Sequence, residues 1–80
     1  MFINYELLRT LVDAGSAPTF RDAAARRRVT PSAVSHQVKT LEAQLGVVLF
    51  ERVGRNARLT PAGARLVDAL RIELARIDDP

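Results

Sequence analysis

Val29-Thr30-Pro31-Ser32-Ala33-Val34-Ser35-His36-Gln37-Val38-Lys39-Thr40-Leu41-Glu42-Ala43-Gln44-Leu45-Gly46 spells out a helix with both of its ends marked. Thr30 can cap the first turn through its hydroxyl. Pro31 fits the first helical position, where a missing N–H would be unpaired anyway. Val34, Val38, Leu41 and Leu45 follow at spacings of four, three and four, which predicts one buried face. Gly46 is a natural stop. The other face holds Ser32, Ser35, His36 and Lys39, all short or basic hydrogen-bonding groups.

Working upstream, a second helix is expected from Thr19 to Arg28. Thr19 supplies a cap and Asp22 stands at the capping-box position. Ala23, Ala24 and Ala25 are small enough for another helix to approach closely. A first helix is expected over residues 4–14, capped by Asn4, with Leu7, Leu8, Leu11 and Val12 as its apolar stripe. Gly15-Ser16-Ala17-Pro18 is expected to break it.

Downstream, residues 47–52 and 57–59 read as two short strands around Val53-Gly54-Arg55-Asn56. The hairpin would bear Arg52, Arg55 and Arg58. A fourth helix opens at Thr60-Pro61 and is expected to end near Ile77. Leu66, Val67, Leu70, Ile72, Leu74 and Ile77 occupy more than one of its faces. That is more apolar surface than one small domain buries, so a partner helix, most simply from a second copy, is expected.

The second and third helices are joined by a very short turn, which is the helix-turn-helix layout. One helix braces while the next enters the major groove with its N-terminal residues toward base edges. Charge agrees: between Arg21 and Arg58 lie eight basic residues and three acids, whereas the two flanks are each slightly acidic. A basic middle suits a polyanion-facing surface. A solvated charge face, or an ordinary helical hairpin in a bundle, is the competing reading. Arg26-Arg27-Arg28 can equally serve the negative end of its helix dipole. Arginines on the hairpin would meet flanking phosphates or the minor groove.

Other classes are poorly supported. The 80 residues allow one modest core, and 48% hydrophobic content is too high for a disordered tail. No apolar run approaches the ~20 residues of a membrane span. Met1-Phe2-Ile3-Asn4 lacks the layout of a signal peptide, so a cytoplasmic, nucleoid-associated protein is expected. With no cysteine and one histidine, disulfides, thiolate metal sites and multi-histidine sites are excluded. No glycine-rich phosphate loop is present, and Ser32, Ser35 and His36 lack an orienting acid. No enzyme, cofactor or metal is expected.

Ala23-Ala24, Val29-Thr30-Pro31-Ser32-Ala33-Val34-Ser35-His36-Gln37-Val38, Leu41-Glu42, Leu45-Gly46, Leu49-Phe50-Glu51-Arg52 and Leu59-Thr60-Pro61-Ala62-Gly63 together resemble the N-terminal domain of bacterial LysR-type transcriptional regulators. The likeness covers nearly the whole chain. It implies a mainly α winged helix-turn-helix: three helices and a short β-hairpin wing over residues 1–59, then a long linker and dimerisation helix over 60–80. It further implies sequence-specific binding of double-stranded DNA by a homodimer, each copy reading half of an interrupted palindrome. Thr30, Pro31, Ser32, Ser35 and His36 would face bases or nearby phosphates. Lys39 would hold backbone, and Arg52 and Arg55 would serve the wing. Leu66, Leu70, Leu74 and Ile77 are the expected dimer contacts, with higher oligomers possible in a full-length protein. A small-molecule effector would act only through a C-terminal domain that these residues do not include.

The sequence departs from the family pattern in four places. Two residues are added around Ser16-Ala17-Pro18, and the proline of the recognition helix comes one residue early. Histidine stands at position 36, where arginine is frequent. Arg27 stands where the family usually has a core leucine, and its aliphatic stem could cover the same apolar surface. A winged helix that binds protein and ignores DNA is the alternative of a different class.

Overall fold

A computed structural model describes residues 4–54 and 56–78. The order of elements is α1 (Tyr5–Ser16), α2 (Phe20–Arg27), α3 (Pro31–Leu45), β1 (Phe50–Val53), β2 (Asn56–Leu59) and α4 (Pro61–Asp78). This is a winged helix-turn-helix followed by a long helix.

The expected caps close the helices. Asn4 accepts from the Leu7 N–H at 2.9 Å, Thr19 Oγ1 from the Asp22 N–H at 3.1 Å, and Thr30 Oγ1 from the Ala33 N–H at 3.1 Å. Each satisfies a donor that the first turn leaves without an intrahelical partner. Gly46 ends α3 in the left-handed conformation at φ 67°. Arg28 ends α2 the same way at φ 58°, a conformation uncommon for a residue with a side chain.

Two apolar clusters meet at Phe50. Ala14, Ala23, Ala24, Val34 and Val38 form one, where α1, α2 and α3 cross. The alanines permit the close approach expected of them, although Ala25 faces solvent. Leu11, Leu41, Leu49 and Val67 form the other, between α1, α3, α4 and the entry to the wing. Each such aliphatic side chain contributes about 1.5–3 kcal/mol on burial. Phe50 packs against both clusters and meets the Phe20 ring edge-on, with centroids 5.0 Å apart.

Four expectations are corrected. First, α1 runs through Gly15 to Ser16. A Cβ at Gly15 would sit 3.0 Å from Leu59 and 3.1 Å from Val67, so glycine serves here as a packing surface. Second, β1 begins at Phe50 rather than at Val47, because the Val47 N–H turns back to the Glu42 carbonyl. The strands then close on the pair Val53–Asn56, with Gly54 at φ 63°. Third, Leu45 is exposed at the end of the α3 stripe. Fourth, Leu74 is buried within the chain, and Leu66 and Leu70 are half-buried against the second cluster. Of the large apolar side chains described on α4, Ile72 and Ile77 are the ones left well exposed.

The junction between wing and α4 is tight. The Thr60 N–H donates to the Leu49 carbonyl at 2.9 Å, and its hydroxyl donates to the Val48 carbonyl at 2.7 Å. That same hydroxyl accepts from the Gly63 N–H at 3.0 Å, capping α4. A Cβ at Gly63 would lie 2.2 Å from the Leu49 carbonyl oxygen, so only glycine lets the helix start there.

Candidate nucleic-acid interface

The start of α2, one face of α3 and the inner side of the wing enclose an open cleft of about 760 Å³. Pro31, Ser32, Ser35 and Lys39 line it from α3, and Arg52 lines it from β1. Those five expected site residues are thus brought to one surface. Thr30 is exposed beside them, with its hydroxyl 3.3 Å from Ser32 Oγ. His36 is exposed too, but one step further round the helix and not on the cleft wall. The expected contact from Arg55 lies outside the described residues.

Among the cleft residues that sequence reasoning missed, Arg21, Asn56 and Ala57 bear on ligand contact. Arg21 lines the cleft from the first turn of α2. Its signal was available, since a cation one residue into a helix cannot be serving that helix's own dipole. Asn56 and Ala57 line it from β2, and only the strand register reveals them.

The electrostatics favour an anion. Arg21, Lys39 and Arg52 have no acidic partner among the described residues. The two acids on the cleft wall are engaged elsewhere. Glu51 pairs across the strands with Arg58 at 3.2 Å, which removes Arg58 from the free cations of the wing. Glu42 Oε2 accepts from the backbone N–H groups of Leu49 at 2.7 Å and Phe50 at 3.2 Å. The Ser32 and Ser35 side chains are short, so backbone or bases can approach α3 closely. Among the described residues no group of three or more His, Asp or Glu could hold a metal ion.

Residues 5–64 match the family described as bacterial regulatory helix-turn-helix protein, lysR family. The chain belongs to the LysR family. Over 62 residues it is 48% identical to the HTH-type transcriptional regulator HdfR of Yersinia pestis (strain Pestoides F), an overlap of 78% of this chain and 21% of that regulator. The chain thus spans about a fifth of the length of the curated relatives it matches. Its fold matches BenM_DBD in a complex with benA site 1 DNA, with a TM-score of 0.88 and 28% identity over 95% of this chain and 85% of that one. CbnR_DBD in a DNA complex gives a TM-score of 0.81 and 35% identity over 91% of this chain and 86% of that one.

The LysR likeness called for a leucine at position 27, and the structure explains the arginine. Arg27 Nη2 pairs with Glu6 and Nη1 lies 3.7 Å from Asp13, both on α1. The side chain is 18% exposed, so its stem is packed while its head joins α2 to α1 by charge. Arg26 and Arg28 remain exposed.

Proposed function

We propose that this chain is the sequence-specific DNA-binding domain of a LysR-type transcriptional regulator. The observation behind the proposal is the cleft: the hydroxyl face of α3 opens into it beside Arg21, Lys39 and Arg52, three cations with no acidic partner among the described residues. In this reading α3 lies in the major groove, with Ser32, Ser35 and His36 toward base edges and Thr30 and Pro31 at the groove rim. Lys39 and Arg21 meet backbone phosphate, and Arg52 and Arg55 place the wing on backbone or minor groove. BenM_DBD and CbnR_DBD, which share the fold, form complexes with DNA.

Residues 1–59 form the reading unit and 60–80 the linker helix. Two copies bind an interrupted palindrome, one half-site each, through paired linker helices. Because Leu74 is already buried, the pairing surface is centred on the exposed Ile72 and Ile77, with Leu66 and Leu70 contributing their half-exposed edges. The effector of the whole regulator acts through a further domain. Among the described residues no helix is long and apolar enough to cross a membrane.

The test is selection of duplexes from a randomised pool, followed by anisotropy titration of the selected and scrambled duplexes at two salt concentrations. The expected result is a palindromic selected site, two chains per duplex and steep weakening with salt, since each neutralised phosphate releases counterion. Equal, weak binding to both duplexes would return the chain to the class of winged helices that bind protein.

A further inference from the structure

Glu42 is out of place for a wall that meets polyanion. It lies on α3 one turn beyond Lys39 and lines the cleft that Lys39 and Arg52 also line. A carboxylate there opposes phosphate by charge alone. Its hydrogen bonds show what it does instead. Glu42 Oε2 accepts from the Leu49 and Phe50 N–H groups, at 2.7 and 3.2 Å. Its backbone carbonyl accepts from Gly46 at 2.8 Å and Val47 at 3.3 Å. The carbonyl bonds close the end of α3, whereas the side chain alone holds the two N–H groups at the entry to and start of β1. Bonds from backbone N–H to a charged oxygen are about twice as strong as neutral ones. Phe50 opens β1, and Arg52 follows two residues later on that strand.

We propose that Glu42 is a positioning residue for DNA recognition, fixing the wing relative to the reading helix so that Arg52 and Ser35 address the same duplex together. The proposal rests on the DNA-binding reading given above. Its signature is a reversal of sign. If Glu42 acted only as a local negative charge, neutralising it would tighten binding to every duplex. As a positioning group, its loss weakens binding even though a repulsive charge has gone.

The experiment compares Glu42→Ala and Glu42→Gln, each alone and with Arg52→Ala, on the duplex selected by the unaltered chain. Glutamine keeps one neutral acceptor oxygen, so it should fall between the parent and alanine. Binding should weaken by about tenfold in Glu42→Ala and by less in Glu42→Gln. Arg52→Ala should cost about fivefold in the parent and under twofold beside Glu42→Ala, because an unanchored wing has little left to lose. Thermal melting verifies that each variant is folded, and Glu42→Gln supports the same cycle if Glu42→Ala is not. Amide hydrogen exchange at Leu49 and Phe50 is followed without DNA, and should quicken about tenfold in Glu42→Ala. Unchanged exchange, tighter binding by both variants, or an Arg52→Ala cost that simply adds would each overturn the assignment. Failure of the parent chain to select any duplex would instead count against the DNA-binding reading, leaving the exchange result to judge Glu42 alone.

Discussion

The Thr10 hydroxyl donates to the Gln37 side-chain oxygen at 2.6 Å, joining the middle of α1 to the middle of α3. Thr10 is 2% exposed, a polar residue buried beside the apolar clusters. Gln37 lies between His36 and Val38, so holding it fixes the rotation of the helix that presents Ser35 and His36. Thr10→Val keeps the shape but strands the Gln37 oxygen. Urea unfolding should show a loss of about 1–3 kcal/mol, with Thr10→Ser recovering most of it. Equal stability of Thr10→Val and the parent would mean that water serves Gln37 as well as Thr10 does.

Arg27 gives a second prediction. Arg27→Ala removes both a packed stem and the charge between Glu6 and Asp13, and should cost about 1–2 kcal/mol. Arg27→Leu should recover the packing part. The difference between the two variants should survive in 0.5 M salt, while the gap between parent and leucine should narrow as screening weakens the ion pairs. Melting curves at low and high salt measure both.

Two glycines should respond very differently to the same substitution. Gly46 has open space around its absent Cβ and only its φ of 67° to object, so Gly46→Ala should cost about 1 kcal/mol. Gly63→Ala would drive a methyl to within 2.2 Å of the Leu49 carbonyl oxygen, and either α4 or the wing entry must move. A loss above about 2 kcal/mol is expected in the same melting experiment. A Gly63→Ala variant no less stable than Gly46→Ala would contradict the close approach.

The reading face separates by the kind of loss. Ser35→Ala and His36→Ala should flatten the preference for the selected site over scrambled duplex, each by about 1 kcal/mol or more. Arg52→Ala and Arg21→Ala should weaken binding to all duplexes alike and lower the salt slope by about one each. A site preference untouched by Ser35→Ala and His36→Ala would move the reading surface elsewhere.

Local chemistry made the helix ends legible. Asn4, Thr19, Thr30 and Gly46 act through groups within a turn of themselves, and each was readable as a cap before any tertiary contact was known. What escaped depends on neighbours distant in sequence. Gly15 read as a breaker because its partners, Leu59 and Val67, lie more than forty residues away. The strand start was misplaced because Glu42 claims the amides that precede and open it. Leu74 had the periodicity of a free stripe, yet the fold buries it. The cleft was half legible for the same reason: the α3 face follows from helical spacing, but Arg21, Asn56 and Ala57 join it only through packing and strand register.

Gly63 has a mechanical consequence. A helix that begins against the Leu49 carbonyl, with Thr60 bonded to Val48 and Leu49, has no slack at its base. Further along, the Arg71 side chain donates to Ser16 Oγ at 2.7 Å and ties the same helix to the end of α1. The helix is thus clamped at two places along its length, once to the strand entry and once to α1, so α4, the wing and α1 hold one another's orientation the way a bracket holds a beam.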